Sequence, residues 1–211
     1  MKQLLLDIAP APAPSLENFV AGRNAELLAA VRGLDQGESG RRSLYLWGEP
    51  GSGCTHLLKA ASSHFRNTGL GADSLCITDD ITTLDDAAQV ALFNRFNALR
   101  ESGGIFIAAG PCAPMQLAIR DDLRTRLGWG LVYQVLALSD AEKTQALQQH
   151  AAERGFALSS DVADYLLRHV RRDLPTLMGM LDALDQWSLT AKKPVTVPLL
   201  RQLLQLPLNL D

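Results

Sequence analysis

SLYLWGEPGSGCTHLLKA, residues 43–60, is the stretch on which the fold turns. A short apolar run of strand character leads into a glycine-rich turn, and the turn leads into a segment with helical apolar spacing. From Gly48 through Gly53 to Thr55 the spacing is that of a phosphate-binding loop, G-x-x-x-x-G-K-[ST]. Such a loop works because glycines let successive backbone N–H groups turn inward on phosphate oxygens while a helix N-terminus adds its dipole. The pattern predicts a cradle built from Gly48, Gly51, Ser52, Gly53, Cys54, Thr55 and His56. The lysine position, however, holds Cys54, and a thiol neither carries the ammonium charge nor reaches as far. A glycine-rich turn with no ligand is the plainer alternative.

Working outward, three further β-type runs follow: SLCIT (74–78), IFIAA (105–109) and LVYQVLAL (131–138). Helical stretches fill most of the gaps, as in a parallel sheet with crossover helices. NAELLAAVRGL supplies a first helix ending near Gly33. Beyond Leu138 the pattern is entirely helical. Ser139 with Glu142 forms a capping box, Ser159 or Ser160 caps a second helix, Leu174 to Leu184 keep helical spacing through a third, and Thr196 with Pro198 opens a short last one. The expected fold class is α/β: a phosphate-loop core with a short parallel sheet of about four strands, followed by a small all-helical lid. SLCIT is followed by Asp79 and Asp80, and Asp79 is placed to hold Mg²⁺ through water; acidic residues after a strand also serve as plain helix caps.

Composition narrows the function classes. A chain of 211 residues with 47% apolar content buries a substantial core. A formal charge of -3 provides no basic field for direct nucleic-acid binding. Cys54, Cys76 and Cys112 are too scattered for a disulfide framework or a zinc site, which suits a reducing, cytoplasmic setting. No run approaches a membrane span, and the N-terminus lacks a signal-peptide pattern. APAPAPS, residues 9–15, forbids regular pairing and reads as a linker, and the peptide 1–8 before it is too short to fold alone. Boundaries follow at 1–8, 9–15, 16–138 and 139–211.

PSLENFVAGRNAELLAAV and DDLRTRLGWGLVYQVLALSDAEK give the chain a likeness. It resembles the DnaA-related AAA+ family over nearly its whole length, and most of all the Hda branch of DnaA regulators. The resemblance implies that Phe19 and Val20 lie near an adenine. It implies that Arg126, in TRLGWG, is an arginine finger reaching another subunit's nucleotide, and that Arg172, with Arg171 as the register alternative, is the sensor arginine of the lid. Residue by residue, the plainer alternatives are a surface salt bridge for Arg126 and a solvated helix face for Arg172. Gln3, Leu4, Leu6 and Ile8 resemble the Q-L-x-L-x-[LI] peptide that docks on the sliding clamp of DNA polymerase; the alternative is an N-terminal strand of the core.

Departures from the family matter equally. Ala108, Ala109 and Gly110 stand where a polar first sensor is expected, and the eighteen residues 56–73 leave no room for the strand–helix unit that related modules carry. The expectation is a degenerate module that holds ADP or ATP at most, with Mg²⁺ in doubt, and that prompts ATP hydrolysis by DnaA as a negative regulator of replication initiation. DNA is met mainly through the clamp, with no membrane involvement and self-association left open. The rivals are an autonomous ATPase or remodelling factor in which Lys59 or another cation replaces the missing lysine, and a nucleotide-free scaffold linking a replication protein to the clamp, with Arg126 purely structural.

Overall fold

Side chains alternate across two central strands, and that alternation builds the first of two compact units, Pro14–Ala137. The computed structural model describes residues 13–36 and 42–205; Gln3, Leu4, Leu6, Ile8 and most of the linker lie outside them. From β1 (Ser43–Trp47), Leu44 and Leu46 pack in one core with α1 (Ala25–Arg32) and α2 (Cys54–Asn67). Tyr45 enters a second core, with α3 (Asp86–Ser102) and α4 (Asp121–Leu127). β3 (Ile105–Gly110) does likewise, Ile105, Ile107 and Ala109 on the first side, Phe106 and Ala108 on the second. Strands covered on both faces carry apolar residues at consecutive positions, which is why these two runs stand out in the sequence.

With β2 (Leu75–Thr78) and β4 (Leu131–Gln134) the sheet has four strands, all parallel, in the order β2-β3-β1-β4. The short interval between the two phosphate motifs accommodates α2 and a turn, so the sheet stops at β2 and its middle is intact.

One element differs from expectation. The run 131–138 predicts a single long strand, but the ladder ends at Gln134. Val135 N–H still donates to Trp47 O at 2.7 Å, and then the side chain of Asn24 takes over. Asn24 Oδ1 accepts from Leu136 N–H at 2.8 Å, and Nδ2 donates to Leu136 O at 2.8 Å and to Ala21 O at 3.1 Å. A buried amide thereby replaces a neighbouring strand, because a backbone donor and acceptor taken out of water must find partners.

The second unit begins at Leu138. Ser139 and Glu142 form the predicted capping box of α5 (Asp140–Glu153), and Ser159 caps α6 (Ser160–His169). Asp173 caps α7 (Leu174–Ala191), which runs past the predicted apolar stretch, and Thr196 caps α8 (Val197–Leu204). Leu147, Leu166, Leu177, Leu181 and Leu200 form the fully buried centre of this bundle. Each cap satisfies an N–H that the helix itself leaves unpaired and is worth about 1 kcal/mol.

Asn24→Ala leaves the Leu136 amide and carbonyl without partners and is expected to lower stability by about 2 kcal/mol or more. Asn24→Asp should destabilise as well, since a carboxylate cannot donate to Leu136 O. Urea unfolding of both variants tests this; an unchanged midpoint would show that Asn24 does not anchor the end of β4.

Candidate functional site

The site begins where β1 leaves the sheet. A Cβ at Gly48 would lie 2.6 Å from Val135 O and 2.7 Å from Ser52 Oγ, so the chain passes there only as glycine. Gly51 and Gly53 both have positive φ, at 83° and 107°, with Ser52 of ordinary hand between them. Alternating hands turn successive N–H groups toward one side. Gly53 is the N-cap of α2 but supplies no side chain to it, and the first helical bond of that turn is Leu57 N–H to Gly53 O at 2.9 Å. The predicted loop therefore offers the backbone donors and the dipole that a phosphate requires.

Its side chains supply no positive charge, and the one charged residue among them, Glu49, is an acid. Cys54 is half-buried, its Sγ 3.4 Å from Ser52 Oγ, and burial pushes its thiol up, so it stays neutral at neutral pH. Burial pushes the His56 imidazole down, which keeps that ring neutral too. Lys59 stands more than a helical turn beyond Cys54, on the wall of a groove that it shares with Asp79. Phe19 comes to the loop: its ring edge lies 3.2 Å from where a Gly53 Cβ would stand, and its centroid is 5.6 Å from that of His56. Val20 is half-buried beside it in sequence.

The two aspartates after β2 part ways. Asp79 accepts the Thr55 hydroxyl at 2.7 Å and the Asp80 N–H at 3.0 Å. Asp80 instead caps the short helical turn Ile81–Thr83, accepting from Thr82 N–H at 3.3 Å. Thr55 and Asp79 thus offer the hydroxyl and carboxylate through which a hydrated Mg²⁺ beside a nucleotide would be held. Among the described residues no group of three or more His, Cys, Asp or Glu side chains is arranged to hold a metal ion without one.

The end of β3 has no room for a side chain at Gly110. A Cβ at Gly110 would fall on the Tyr45 hydroxyl and lie 3.3 Å from Ile81 Cγ2. Burial pushes the Tyr45 phenol well above its ordinary range, so it remains a donor, bonded to Cys112 O at 2.9 Å.

Arg126 lies in the last turn of α4. Its near neighbours are committed: Arg120 bonds Asp122 at 2.9 Å and Arg124 bonds Asp121 at 2.7 Å. Arg126 has no carboxylate partner among the described residues. Its guanidinium stacks 3.7 Å above the Trp129 ring, lies 5.4 Å from the Phe93 ring and donates through Nε to Asn97 Oδ1 at 3.2 Å. Phe93 and Asn97, four residues apart, present one stripe of α3. Their part was invisible in the sequence, where nothing announces that α3 runs beside α4.

Arg172 and Arg171 belong to the lid, in the loop between α6 and α7 and not on a helix face. Arg172 donates to Leu167 O at 3.2 Å and lies 3.7 Å from Asp140; Arg171 pairs with Asp173 at 3.4 Å and is mostly exposed.

Comparison with known proteins agrees with this architecture. Residues 140–204 match the family model described as the lid domain of Hda. An uncharacterized protein of Haemophilus influenzae is 33% identical over 230 aligned positions, covering 97% of this chain and 99% of the relative. Domain III of the Thermotoga maritima replication initiation protein DnaA superposes with a TM-score of 0.69 at 21% identity, covering 93% of this chain and 98% of that one. AMPPCP-bound DnaA from Aquifex aeolicus gives 0.68 at 20% identity, over 85% of this chain; the chain spans only 66% of that longer protein. At these identities the two structures establish the fold.

Gly110→Ala is expected to cost about 1–3 kcal/mol by overpacking, and much less in a Tyr45→Phe background, where the obstructing oxygen is gone. A double-mutant cycle by urea unfolding reads this coupling. Strictly additive costs would show that the hydroxyl is not what closes the position.

Proposed function

The chain belongs to the DnaA-related AAA+ family, close to Hda, and from that premise we propose that it is a negative regulator of replication initiation that offers Arg126 to ATP bound by the initiator DnaA. The observation that carries this reading is the state of Arg126: a partly buried guanidinium, supported by Trp129 and Asn97 and lacking any carboxylate partner among the described residues. A cation paired with an acid would have to break that pair before meeting a phosphate. This one is ready to meet charge that develops on a transferred phosphoryl group.

The phosphate loop of this chain has the complementary deficit. Its backbone donors suit ADP or ATP, with Phe19 beside it for the base and Thr55 and Asp79 for a hydrated Mg²⁺. The ammonium is missing, Cys54 and His56 are neutral, and the Tyr45 hydroxyl occupies the space at Gly110, in the stretch 108–110 where the resemblance leads one to expect a polar first sensor. Nucleotide held there is structural, and hydrolysis occurs in the partner. No helix among the described residues is long and apolar enough to cross a membrane, and we place the protein in the cytoplasm, brought to DNA by the sliding clamp through Gln3, Leu4, Leu6 and Ile8 on their Ala/Pro linker. Arg172, or Arg171 beside it, senses nucleotide from the lid.

Two predictions test this. Arg126→Ala should retain melting temperature and clamp binding while the stimulated hydrolysis of DnaA-bound ATP falls by about 10³–10⁵-fold, and Arg126→Lys should rescue poorly because an ammonium lacks the planar fork. A stable Arg126→Ala protein with full stimulation would end the reading. Gln3→Ala with Leu4→Ala should abolish capture on immobilised clamp and leave the melting temperature unchanged, since a tethered peptide adds little to a core; a large fall in melting temperature would mark residues 3–8 as a core strand.

A further inference from the structure

Trp129 carries a second guanidinium. Arg100 lies 4.7 Å from the centre of the same ring that Arg126 covers at 3.7 Å, so the two cationic carbons are no further apart than those distances together allow. Arg100 comes from the exposed end of the stripe that includes Phe93 and Asn97, one further helical step along α3. Like Arg126, it has no carboxylate partner among the described residues, and neighbouring Glu101 makes no ion pair with either. Arg42 joins Arg100 and Trp129 in lining an adjoining cleft of about 240 Å³. Trp129 itself is 47% exposed, so the indole that carries the two guanidiniums is open to solvent.

Two like charges on one ring, in a chain whose formal charge is -3, are an unfavourable arrangement in isolation. The ring quadrupole offsets part of the repulsion. A multivalent anion would offset far more, and the nearby acids of α4 are already taken by Arg120 and Arg124.

We propose that Arg100 and Arg126, mounted together on Trp129, form a two-armed receptor for the polyphosphate of a nucleotide held by a neighbouring AAA+ subunit. This rests on the trans-acting role given to Arg126 above and adds to it a second cation and a mount. Arg100 binds phosphate charge that is present before and during reaction, so it contributes to affinity. Arg126 meets charge that grows in the transition state, so it contributes to rate. Trp129 and Asn97 are positioning residues: they fix the plane and reach of the Arg126 guanidinium without touching phosphate.

The test is a titration of ATP-loaded DnaA, with clamp on DNA, by wild-type protein and by Arg100→Gln, Arg126→Ala, Trp129→Phe and Trp129→Ala, reading the half-saturating concentration and the maximal hydrolysis rate separately. Arg100→Gln is expected to raise the half-saturating concentration by about tenfold or more and to keep the maximal rate within about twofold. Trp129→Ala should lower the maximal rate, and Trp129→Phe should restore most of it, because a benzene ring still presents a face to the guanidinium. Tryptophan emission, taken as the difference between wild type and Trp129→Phe, should change on adding ATP-loaded but not nucleotide-free DnaA; this readout stands even if Trp129→Ala fails to fold. Unchanged affinity and rate for Arg100→Gln would overturn the receptor and leave the finger standing. Full maximal rate with Arg126→Ala would overturn the reading beneath it. Equal weakening of Arg100→Gln toward ATP-loaded and nucleotide-free DnaA, or loss of binding to bare DNA in that variant, would also overturn the proposal, by assigning Arg100 to protein or nucleic acid.

Discussion

The close approach of Gly48 to the carbonyl of Val135 governs the geometry of the core. β1 is held on both sides, by β3 and by β4, and is buried on both faces, so it leaves the sheet along a fixed line. With no room for a side chain at Gly48, the loop lies directly against the continuation of β4, and the positive φ of Gly51 and Gly53 then swings the chain into α2. Because the strands are parallel, the ends of β1, β2 and β3 open at one side of the sheet. Thr55 and Asp79 meet there across 24 positions of sequence, and the end of β3 arrives in the same region.

Asn24 closes that frame from the other direction. Its amide holds Leu136 just where the β4 ladder gives out, which ties the entry of α1 to the exit of the sheet. Phe19, five residues earlier, is consequently delivered to the loop at Gly53 and His56. Where Asn24 spends its hydrogen-bonding capacity therefore bears directly on how the loop side of the core is assembled.

The electrostatic pattern of the core is divided. Its phosphate loop presents backbone dipoles and no cationic side chain, while two guanidiniums without a carboxylate partner among the described residues, those of Arg100 and Arg126, meet on Trp129 just past the end of α4. A self-sufficient hydrolase concentrates both around one nucleotide. On the proposed reading the two halves serve different nucleotides, one held quietly and one acted on in a partner, and loss of the loop lysine and retention of Arg126 are parts of a single specialisation.

What the sequence determined by itself was whatever is settled within a few neighbouring residues. The loop spacing, the four apolar runs, the capping box at Ser139 and Glu142 and the Thr196 cap were legible because caps, turns and periodicity act within one or two helical turns. The missing ammonium at Cys54 was equally plain, and so was the short interval that leaves β2 at the edge. Tertiary structure alone decided the rest. It ended β4 at Gln134, because the partner of Leu136 is a side chain 112 positions away. It separated Asp79 from Asp80, since only one of them lies within reach of Thr55. It closed Gly110 with a hydroxyl from another strand and gave Arg126 its mount from α3. None of these is a property of a segment: each arises where elements distant in sequence are pressed together by the burial of their apolar faces, and the choice of neighbours is made only when the whole core forms.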